Sequence, residues 1–334
     1  MFTTVRRRRI LVASLLGAVI ATLGITVASS HAGPARPHDA ADGRIVVTHV
    51  SFRRECCAPP ALDILTMRAD GSDPRQLTHN DWGWASEEPA WGKHNWIYFD
   101  SGPVDGLEHL FRINANGHGL AQITRGDGSE CCAAPSADGK LIAFDGYFPA
   151  VAPDGAQGIY LTDQRGGDYA DFTRLTVPPA NGYDTGPNIS PDGRTVAFRR
   201  VLSDAASAVF VIALDGSRLR QLTPYALDAV YPRWSPDGGR LVFSSNRDTD
   251  FGNQQIWVVN ADGSGLAQLT HEAPGNPSFL PDWSPDGSRI VFSHFLPTGF
   301  FTQLEIMNAD GTGEHVIWQG ADFTYDFRPD WGRG

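Results

Sequence analysis

Residues 232–238 read Pro-Arg-Trp-Ser-Pro-Asp-Gly and lead into a short apolar stretch at 241–243. Nearly the same sequence, Pro-Asp-Trp-Ser-Pro-Asp-Gly, returns at 281–287 before the apolar stretch 290–292. Looser copies begin at four further prolines, Pro89, Pro135, Pro187 and Pro329. The six leading prolines are 46, 52, 45, 49 and 48 residues apart. This period is too long for a helical hairpin and is typical of the four-stranded blade of a β-propeller.

Each repeat also contains a second tight turn. It follows a β-rich stretch such as 255–260, and four of the five turns named below precede a short stretch that ends in Leu-Thr or Ile-Thr. The second turns are Asp70-Gly71, Asn116-Gly117, Asp215-Gly216, Asp262-Gly263 and Asp310-Gly311. Asp-Gly favours tight hairpins because both residues tolerate a positive φ. We therefore interpret these aspartates as turn residues and not as a series of catalytic carboxylates.

The two ends of the chain together supply one blade. A motif strand at 327–331 has no second strand after it, and a turn and strand at 42–47 have no motif before them. The predicted fold is therefore all-β, a six-bladed β-propeller over residues 42–334, closed by pairing of the N- and C-terminal strands in one blade. Such closure leaves no exposed inner sheet edge.

The first 32 residues have the features of a secretory signal peptide. A basic segment at 6–9 precedes an apolar core at 10–27, and Ser30-His31-Ala32 offers small residues for a signal peptidase. We predict cleavage after Ala32, a disordered lead at 33–41, and an extracellular or periplasmic, cell-envelope location. The core is near the lower limit for a spanning helix, so an uncleaved membrane anchor stays open. Export by the Sec or the twin-arginine route stays open as well, because the arginines fit a loose twin-arginine pattern.

Charge excludes one class of partner. The full chain has a formal net charge of −11, and residues 33–334 retain 23 basic against 38 acidic residues. Nucleic-acid binding needs a positive surface that neutralises phosphates, so we expect no nucleic-acid partner. No long linker interrupts the repeats, and a single-domain monomer is expected.

The pattern Trp-Ser-Pro-Asp-Gly, Asn-Ala-Asp-Gly and Gln-Leu-Thr, in whole or in part at 234–270 and 283–313, resembles the WD-like repeats of TolB-type six-bladed propellers. Similar repeats form the propeller domains of prolyl-oligopeptidase-type peptidases. The resemblance covers about residues 42–331 and implies fold far more than function. Those peptidases carry their catalytic residues in a separate hydrolase domain with a Gly-x-Ser-x-Gly elbow. This sequence contains no such motif, so peptidase activity of that kind is not expected.

One rim of the propeller is predicted to bind the ligand. Because the strands alternate in direction, the loops that lead into the innermost strands share a rim with the loops between second and third strands. An aromatic and charged rim around an axial funnel suits peptides, sugars or partner loops. The candidate ligand-binding residues are Trp82, Trp84, Glu88, Glu130, Tyr183, Asp184, Tyr231, Phe279, Tyr325 and Arg328. The alternative, that several of these aromatics only cover the blade ends, stays open.

The four cysteines form two adjacent pairs in similar surroundings, Glu55-Cys56-Cys57-Ala58 and Glu130-Cys131-Cys132-Ala133. In an oxidising compartment an even number of cysteines favours disulfides. Cross-links between the pairs would close a loop of about 75 residues and contribute about 4 kcal/mol. Vicinal disulfides, and free or metal-bound thiols, are the open alternatives. Adjacent cysteines are not the usual spacing for a zinc cage.

The sequence leaves two functions to compare. The leading hypothesis is an exported, non-catalytic propeller that binds an unknown protein, peptide or glycan. The alternative is a propeller enzyme, a metal-dependent polysaccharide lyase or hydrolase with its site at the axial mouth. No cofactor is predicted, although Ca²⁺ at 248–255 or a transition metal stays open. The enzyme would be favoured by three or more of a set of six residues within metal-ligand distance: His49, His79, His271, His294, Glu88 and Glu130.

Overall fold

Four-stranded antiparallel sheets follow one another along the chain. The structure is a computed structural model that describes residues 43–52, 59–149, 157–203, 206–245, 253–296, 302–320 and 324–332. The signal-peptide and lead segments, together with Cys56 and Cys57, lie outside these residues. Short 3-10 turns occur at Lys93–Asn95, Tyr169–Asp171 and Tyr225–Leu227. None of the helices within the described ranges has the length and apolarity needed to cross a membrane.

The strands of each blade run from the inside of the ring outward. Blade 1 has β24 (Thr324–Gly332) innermost, then β1 (Arg44–Ser51), β2 (Ala61–Arg68) and β3 (Arg75–Gln76). Blade 2 has β4 (Trp84–Trp91), β5 (Trp96–Pro103), β6 (His109–Asn114) and β7 (Ala121–Gln122). Blade 3 has β8 (Ser129–Pro135), β9 (Leu141–Tyr147), β10 (Gln157–Asp163) and β11 (Thr173–Arg174).

The other three blades repeat this order. Blade 4 has β12 (Tyr183–Ile189), β13 (Thr195–Ser203), β14 (Ala206–Ala213) and β15 (Arg220–Gln221). Blade 5 has β16 (Ala229–Trp234), β17 (Arg240–Ser245), β18 (Gln255–Asn260) and β19 (Ala267–Gln268). Blade 6 has β20 (Ser278–Trp283), β21 (Arg289–Phe295), β22 (Thr302–Asn308) and β23 (His315–Gln319).

The two ends of the chain close the ring in blade 1, as predicted. β1 pairs antiparallel with β24, which places Ile45 opposite Trp331 and Val46 opposite Asp330. A single parallel pairing of Leu62 with Ala85 also joins blades 1 and 2. The predicted six-bladed propeller with its shared terminal blade is therefore confirmed.

Among the described residues, one apolar cluster lies between each pair of neighbouring blades, and a smaller seventh cluster lies within blade 1 around Val50 and Tyr325. The motif tryptophans belong to these contacts. Trp283 of blade 6 is buried against blade 5 and lies under the Arg240 guanidinium at 4.7 Å. Trp331 repeats this arrangement between blades 1 and 6, with Arg289 at 4.9 Å. The tryptophans are thus inter-blade packing residues. Truncation of either one to alanine should lower the free energy of unfolding by about 3–5 kcal/mol.

The repeated polar residues are architectural. In the first turn a Ser hydroxyl donates to the Asp two residues later, as in Ser136 to Asp138 (2.8 Å). The Lys140 N–H and the Ser136 hydroxyl lower the pKa of Asp138 to about 2. The threonines of the outermost strands accept a hydrogen bond from a backbone N–H of the third strand at 2.8–2.9 Å: Thr78, Thr124, Thr176, Thr223 and Thr270. The turn aspartates therefore serve local structure.

One motif alignment needs correction. In blade 3, Pro135 pairs with Ile142, as Trp234 pairs with Leu241 in blade 5. Pro135 therefore occupies the position of the motif tryptophan, and Ala133 occupies that of the leading proline. The turn that follows sets this register, because the Ser136 N–H donates to the Leu141 carbonyl.

Candidate functional site

Every innermost strand contains a β-bulge at the same position of its repeat. At each bulge one residue has a positive φ between 52° and 61°, and we call these six residues the bulge ring: Glu88, Cys132, Gly186, Tyr231, Leu280 and Arg328. A cavity on the ring axis is lined by four of them and by the prolines that follow three of these four. The bulges therefore direct the variable residues of the repeat toward the axial channel.

Neighbouring blades hold the backbone of the bulge ring in place. The N–H of Leu280 donates to the Ser244 hydroxyl at 2.8 Å, and the N–H of Glu88 donates to Thr48 at 3.2 Å. Aspartates do the same for Gly186 and Cys132, at 3.2 and 3.4 Å. Each acceptor comes from the second strand of the preceding blade. The ring is thus a preorganised feature of the closed propeller.

Polar side chains from three blades meet at the bulge ring. Arg328 Nη1 lies 2.6 Å from Glu88 Oε1, and Arg328 Nη2 donates to the Tyr231 hydroxyl at 2.9 Å. The same guanidinium lies 4.7 Å from the centre of the Tyr231 ring. Burial alone would lower the pKa of Arg328, but the Glu88 carboxylate raises it well above its usual range. Burial raises the pKa of Tyr231. Arg328 is therefore a fixed cation in the channel, and Tyr231 is a neutral phenol.

The second cysteine pair also belongs to the channel. Cys132 donates its thiol hydrogen to Glu88 Oε2 at 2.5 Å, and its sulfur lies 2.8 Å from that of Cys131. Both residues are buried thiols. Burial raises the pKa of Cys132 well above its usual value, and the hydrogen bond with Cys131 and the charge of Asp145 raise it further. The predicted cross-link to Cys56 or Cys57 stays a prediction, because that pair lies outside the described residues.

A second polar layer lies two residues further along four of the innermost strands, at Asn188, Arg233, Asp282 and Asp330. Asp282 accepts a hydrogen bond from the Trp331 N–H (2.7 Å), and Asn188 accepts one from the Trp234 N–H (2.9 Å). Burial raises the pKa of Asp282 to about 8, the Asp330 carboxylate adds to this shift, and Arg233 opposes it. This layer links neighbouring blades, and its Asp282 carboxyl keeps a proton to a higher pH than an exposed aspartate does.

Four of the predicted site residues lie inside the blades. Glu130 is fully buried and contacts His109 Nδ1 at 2.7 Å. Asp184 is fully buried and accepts two 2.7 Å hydrogen bonds from Arg200. Phe279 and Tyr325 are buried among other aromatic rings. The sequence predicts rim positions for all four, whereas in the structure their side chains contact neighbouring strands or rings, as Asp184 contacts the cross-strand Arg200.

Two other predicted residues lie on the open rim of blade 2. Trp82 and Trp84 are 37% and 40% exposed. The Trp84 indole N–H donates to the Ser101 hydroxyl at 2.9 Å, and Ser101 shares a second hydrogen bond with Ser86. Trp84 is therefore an exposed aromatic held in a fixed orientation. Tyr183, on the rim of blade 4, is half-buried.

Within the described ranges, potential metal ligands form three groups. These are Glu88 with Cys131 and Cys132, Glu272 with His294 and Glu314, and Glu87 with Asp100 and Glu108. None of the groups contains three of the six residues whose convergence would favour the enzyme. The Ca²⁺ hypothesis falls partly on residues 246–252, which lie outside the described ranges, and Gln255 accepts hydrogen bonds from Thr270 and Glu272.

Four residues of the channel were not among the predicted ligand-binding residues: Cys131, Cys132, Asp282 and Arg233. A signal for part of this set was present. In five repeats the bulge-ring residue is the one directly before the leading proline, so a comparison of these positions would have found Glu88, Tyr231 and Arg328 as a group. Such a comparison would not have found Cys132, because blade 3 has Ala133 in place of the leading proline.

Comparison with known proteins agrees with the fold. Residues 168–331 match the TolB beta propeller domain. "Uncharacterized peptidase YuxL" of Bacillus subtilis is 31% identical over 106 residues, which cover 28% of this chain and 16% of that protein. The chain spans less than half the length of the curated relatives it matches.

Solved structures extend the likeness to most of the chain. A putative TolB from Agrobacterium tumefaciens has a TM-score of 0.62 at 20% identity and covers 87% of this chain and 99% of that one. An oligogalacturonate lyase in complex with manganese has a TM-score of 0.54 at 16% identity and covers 84% and 82%. At such identities the likeness concerns the fold alone. The chain is a TolB-like six-bladed β-propeller.

Proposed function

We propose that this protein is an exported, non-catalytic β-propeller that binds a peptide segment of another protein, or a glycan, on the rim around Trp82 and Trp84. The observation that carries the proposal is the exposed Trp84 indole fixed by its hydrogen bond to Ser101. A large aromatic surface held rigid before binding loses little conformational entropy on contact, which favours its use as an anchor.

The state of the channel supports binding on the rim. The ion pair of Glu88 with Arg328, together with the Tyr231 phenol, occupies the axis at the bulge ring. A peptide or sugar chain therefore has no open passage through the ring at this level. The rim offers the exposed aromatic surface that such ligands stack on. The signal-like N-terminal sequence supports export.

The proposal is tested with a peptide and glycan array on residues 33–334, followed by calorimetry on the ligands found. Trp84→Ala should weaken binding by at least about 2 kcal/mol, or roughly thirtyfold, which is typical of an aromatic hot spot. Leu120→Ala is a matched control, because Leu120 is a 59% exposed apolar residue that precedes β7 on the opposite rim. Unchanged affinity for Trp84→Ala, or an equal loss in Leu120→Ala, would contradict the proposal.

One observation favours the enzyme as a second candidate. Glu88, Tyr231 and Arg328 come from three blades and converge at the axial mouth, as an active site there would require. The test is an assay of acidic polysaccharides for chain cleavage, with and without divalent metal ions. Activity that is lost in Tyr231→Phe and retained in Trp84→Ala would establish the enzyme and remove the non-catalytic function.

A further inference from the structure

The bulge in β8 brings two adjacent cysteines to the same side of a strand. In a regular strand successive side chains point to opposite faces, so adjacent cysteines cannot bind one ion. Here Cys132 has a φ of 61°, and the two sulfur atoms lie 2.8 Å apart. The bulge therefore allows Cys131 and Cys132 to bind the same metal ion, although they are adjacent in the sequence.

A third donor comes from the neighbouring blade. Glu88 Oε2 lies 2.5 Å from Cys132 Sγ, and potential ligand atoms of Glu88, Cys131 and Cys132 all lie within 4.8 Å of one another. The cysteines are 3% and 8% exposed, and the Glu88 side chain is 9% exposed. The three donors therefore converge in a shielded part of the channel.

We propose that Cys131, Cys132 and Glu88 form a binding site for a thiophilic metal ion, and that Zn²⁺ is the ion that fits it. Thiolate sulfur selects soft and borderline ions such as Zn²⁺ or Cu⁺, whereas Ca²⁺ and Mg²⁺ prefer oxygen ligands alone. Three protein ligands leave one position of a zinc tetrahedron open. A water molecule or a small anionic ligand in the channel completes the coordination.

The charges around the site balance for a divalent ion. Two thiolates and one carboxylate carry three negative charges, which Zn²⁺ reduces to one. Arg328, 2.6 Å from Glu88 Oε1, supplies the remaining positive charge. Both thiol protons leave when the metal binds, as thiolate coordination requires. Among these groups no net charge remains, and such pairing lowers the desolvation cost of a buried ion. The Asp145 carboxylate beside Cys131 lies outside this sum.

The metal requires a small rearrangement. With Zn–S bonds of about 2.3 Å, tetrahedral geometry separates two sulfurs by roughly 3.8 Å, so the cysteines must move apart by about 1 Å. The Cys131 thiol donates to the Asp145 carboxylate at 3.5 Å, so Asp145 orients this cysteine before its proton leaves.

The other blades lack this chemistry at the same position. The residues equivalent to Cys131 and Cys132 are Glu87-Glu88, Thr185-Gly186, Val230-Tyr231, Phe279-Leu280 and Phe327-Arg328. Among the described innermost strands, two adjacent cysteines occupy this position in blade 3 alone, beside a blade that supplies Glu88. The cysteine pair is therefore a special substitution in a common scaffold and not a consequence of the repeat.

Co²⁺ titration of the full-length protein, purified under reducing conditions, tests the site. Co²⁺ should produce thiolate-to-metal charge-transfer absorption that saturates at one ion per chain and disappears when Zn²⁺ is added. Cys131→Ser and Cys132→Ser should lose this absorption. The double variant Cys56→Ser/Cys57→Ser is the matched control and should retain it. Glu88→Gln should weaken Zn²⁺ binding about tenfold or more while both thiolates still bind.

Three results would overturn the proposal. These are the absence of charge-transfer absorption in protein whose thiols are shown to be reduced, its loss in the Cys56/Cys57 control alone, and a Cys131–Cys132 or cross-pair disulfide in the exported protein as isolated. If the serine variants do not fold, alkylation of the wild-type protein decides. Zn²⁺ should protect Cys131 and Cys132 from labelling, and equal labelling with and without Zn²⁺ would refute the site.

Discussion

Asp282→Asn should stabilise the propeller at alkaline pH and have little effect in acid. Asp282 lies in the second polar layer of the channel, where Asp330 and Arg233 are its charged neighbours, and it accepts a hydrogen bond from the Trp331 N–H. Asparagine keeps that acceptor and removes the charge. The molecule already contains this arrangement, because Asn188 accepts the equivalent hydrogen bond from Trp234 in blade 5.

The direction of the pKa shift of Asp282 determines how the stability of the protein changes with pH. Burial and Asp330 raise the pKa of Asp282 from 3.8 to about 8, so the folded state holds the proton more tightly than the unfolded chain. The stability due to this proton is complete below pH 3.8 and is lost as the pH rises through about 8. The full shift corresponds to roughly 6 kcal/mol at about 1.4 kcal/mol per pKa unit. Because Asp282 is only half-buried, we expect a smaller gain of about 1–3 kcal/mol for Asp282→Asn at pH 8.5.

Urea unfolding at pH 4.5 and pH 8.5, followed by tryptophan fluorescence, measures the difference between the two proteins. The free energy of unfolding of Asp282→Asn should exceed that of the wild type at pH 8.5 and approach it at pH 4.5. Asp282→Ala, which also removes the acceptor for Trp331, should lose stability at pH 4.5. Equal destabilisation of Asp282→Asn at both pH values would show that Arg233 stabilises an ionised Asp282, which would refute the reasoning.

Three further predictions concern stability, and each is checked by the same urea titration. Arg200→Met leaves the fully buried Asp184 without its two hydrogen bonds and should cost about 3–5 kcal/mol, whereas a loss below 1 kcal/mol would contradict a buried ion pair. Thr223→Val deprives the Val209 N–H of its acceptor and should cost about 1–3 kcal/mol, with an unchanged midpoint as the contrary result. Gly71→Ala should destabilise the junction of blades 1 and 6, because Gly71 has a φ of 79° and an added Cβ would lie 1.9 Å from a carbonyl oxygen of β23.

The blade count and the closure could be predicted because their determinants are local and repeated. The turn Ser235-Pro236-Asp237-Gly238 contains its own hydrogen bonds, so its sequence alone identifies the hairpin. The period between such turns then gives the number of blades. The incomplete motif around Trp331 identifies the shared blade for the same reason.

The placement of the site residues depends on contacts that the sequence does not display. Asp184 has the same side chain as the turn aspartates, yet its partner, Arg200, lies 16 residues later across a strand pair. A one-residue change of register in a strand moves a side chain from one face to the other. The bulges make such changes in every innermost strand. They explain why Glu88 reaches the channel, whereas Glu130 is buried against His109.

The strained backbone of the bulge ring indicates that the channel has a function. A positive φ costs a residue with a Cβ about 1–2 kcal/mol, and glycine avoids this cost. Gly186 shows that glycine is compatible with the bulge, yet the other five positions carry side chains. Strain of this kind persists where the surrounding structure or a function retains it. At Leu280 apolar contact in the channel is a sufficient reason. At Cys132 and Arg328 the strained backbone places a thiol and a cation around one carboxylate, an arrangement that burial penalises and that a bound ion would stabilise.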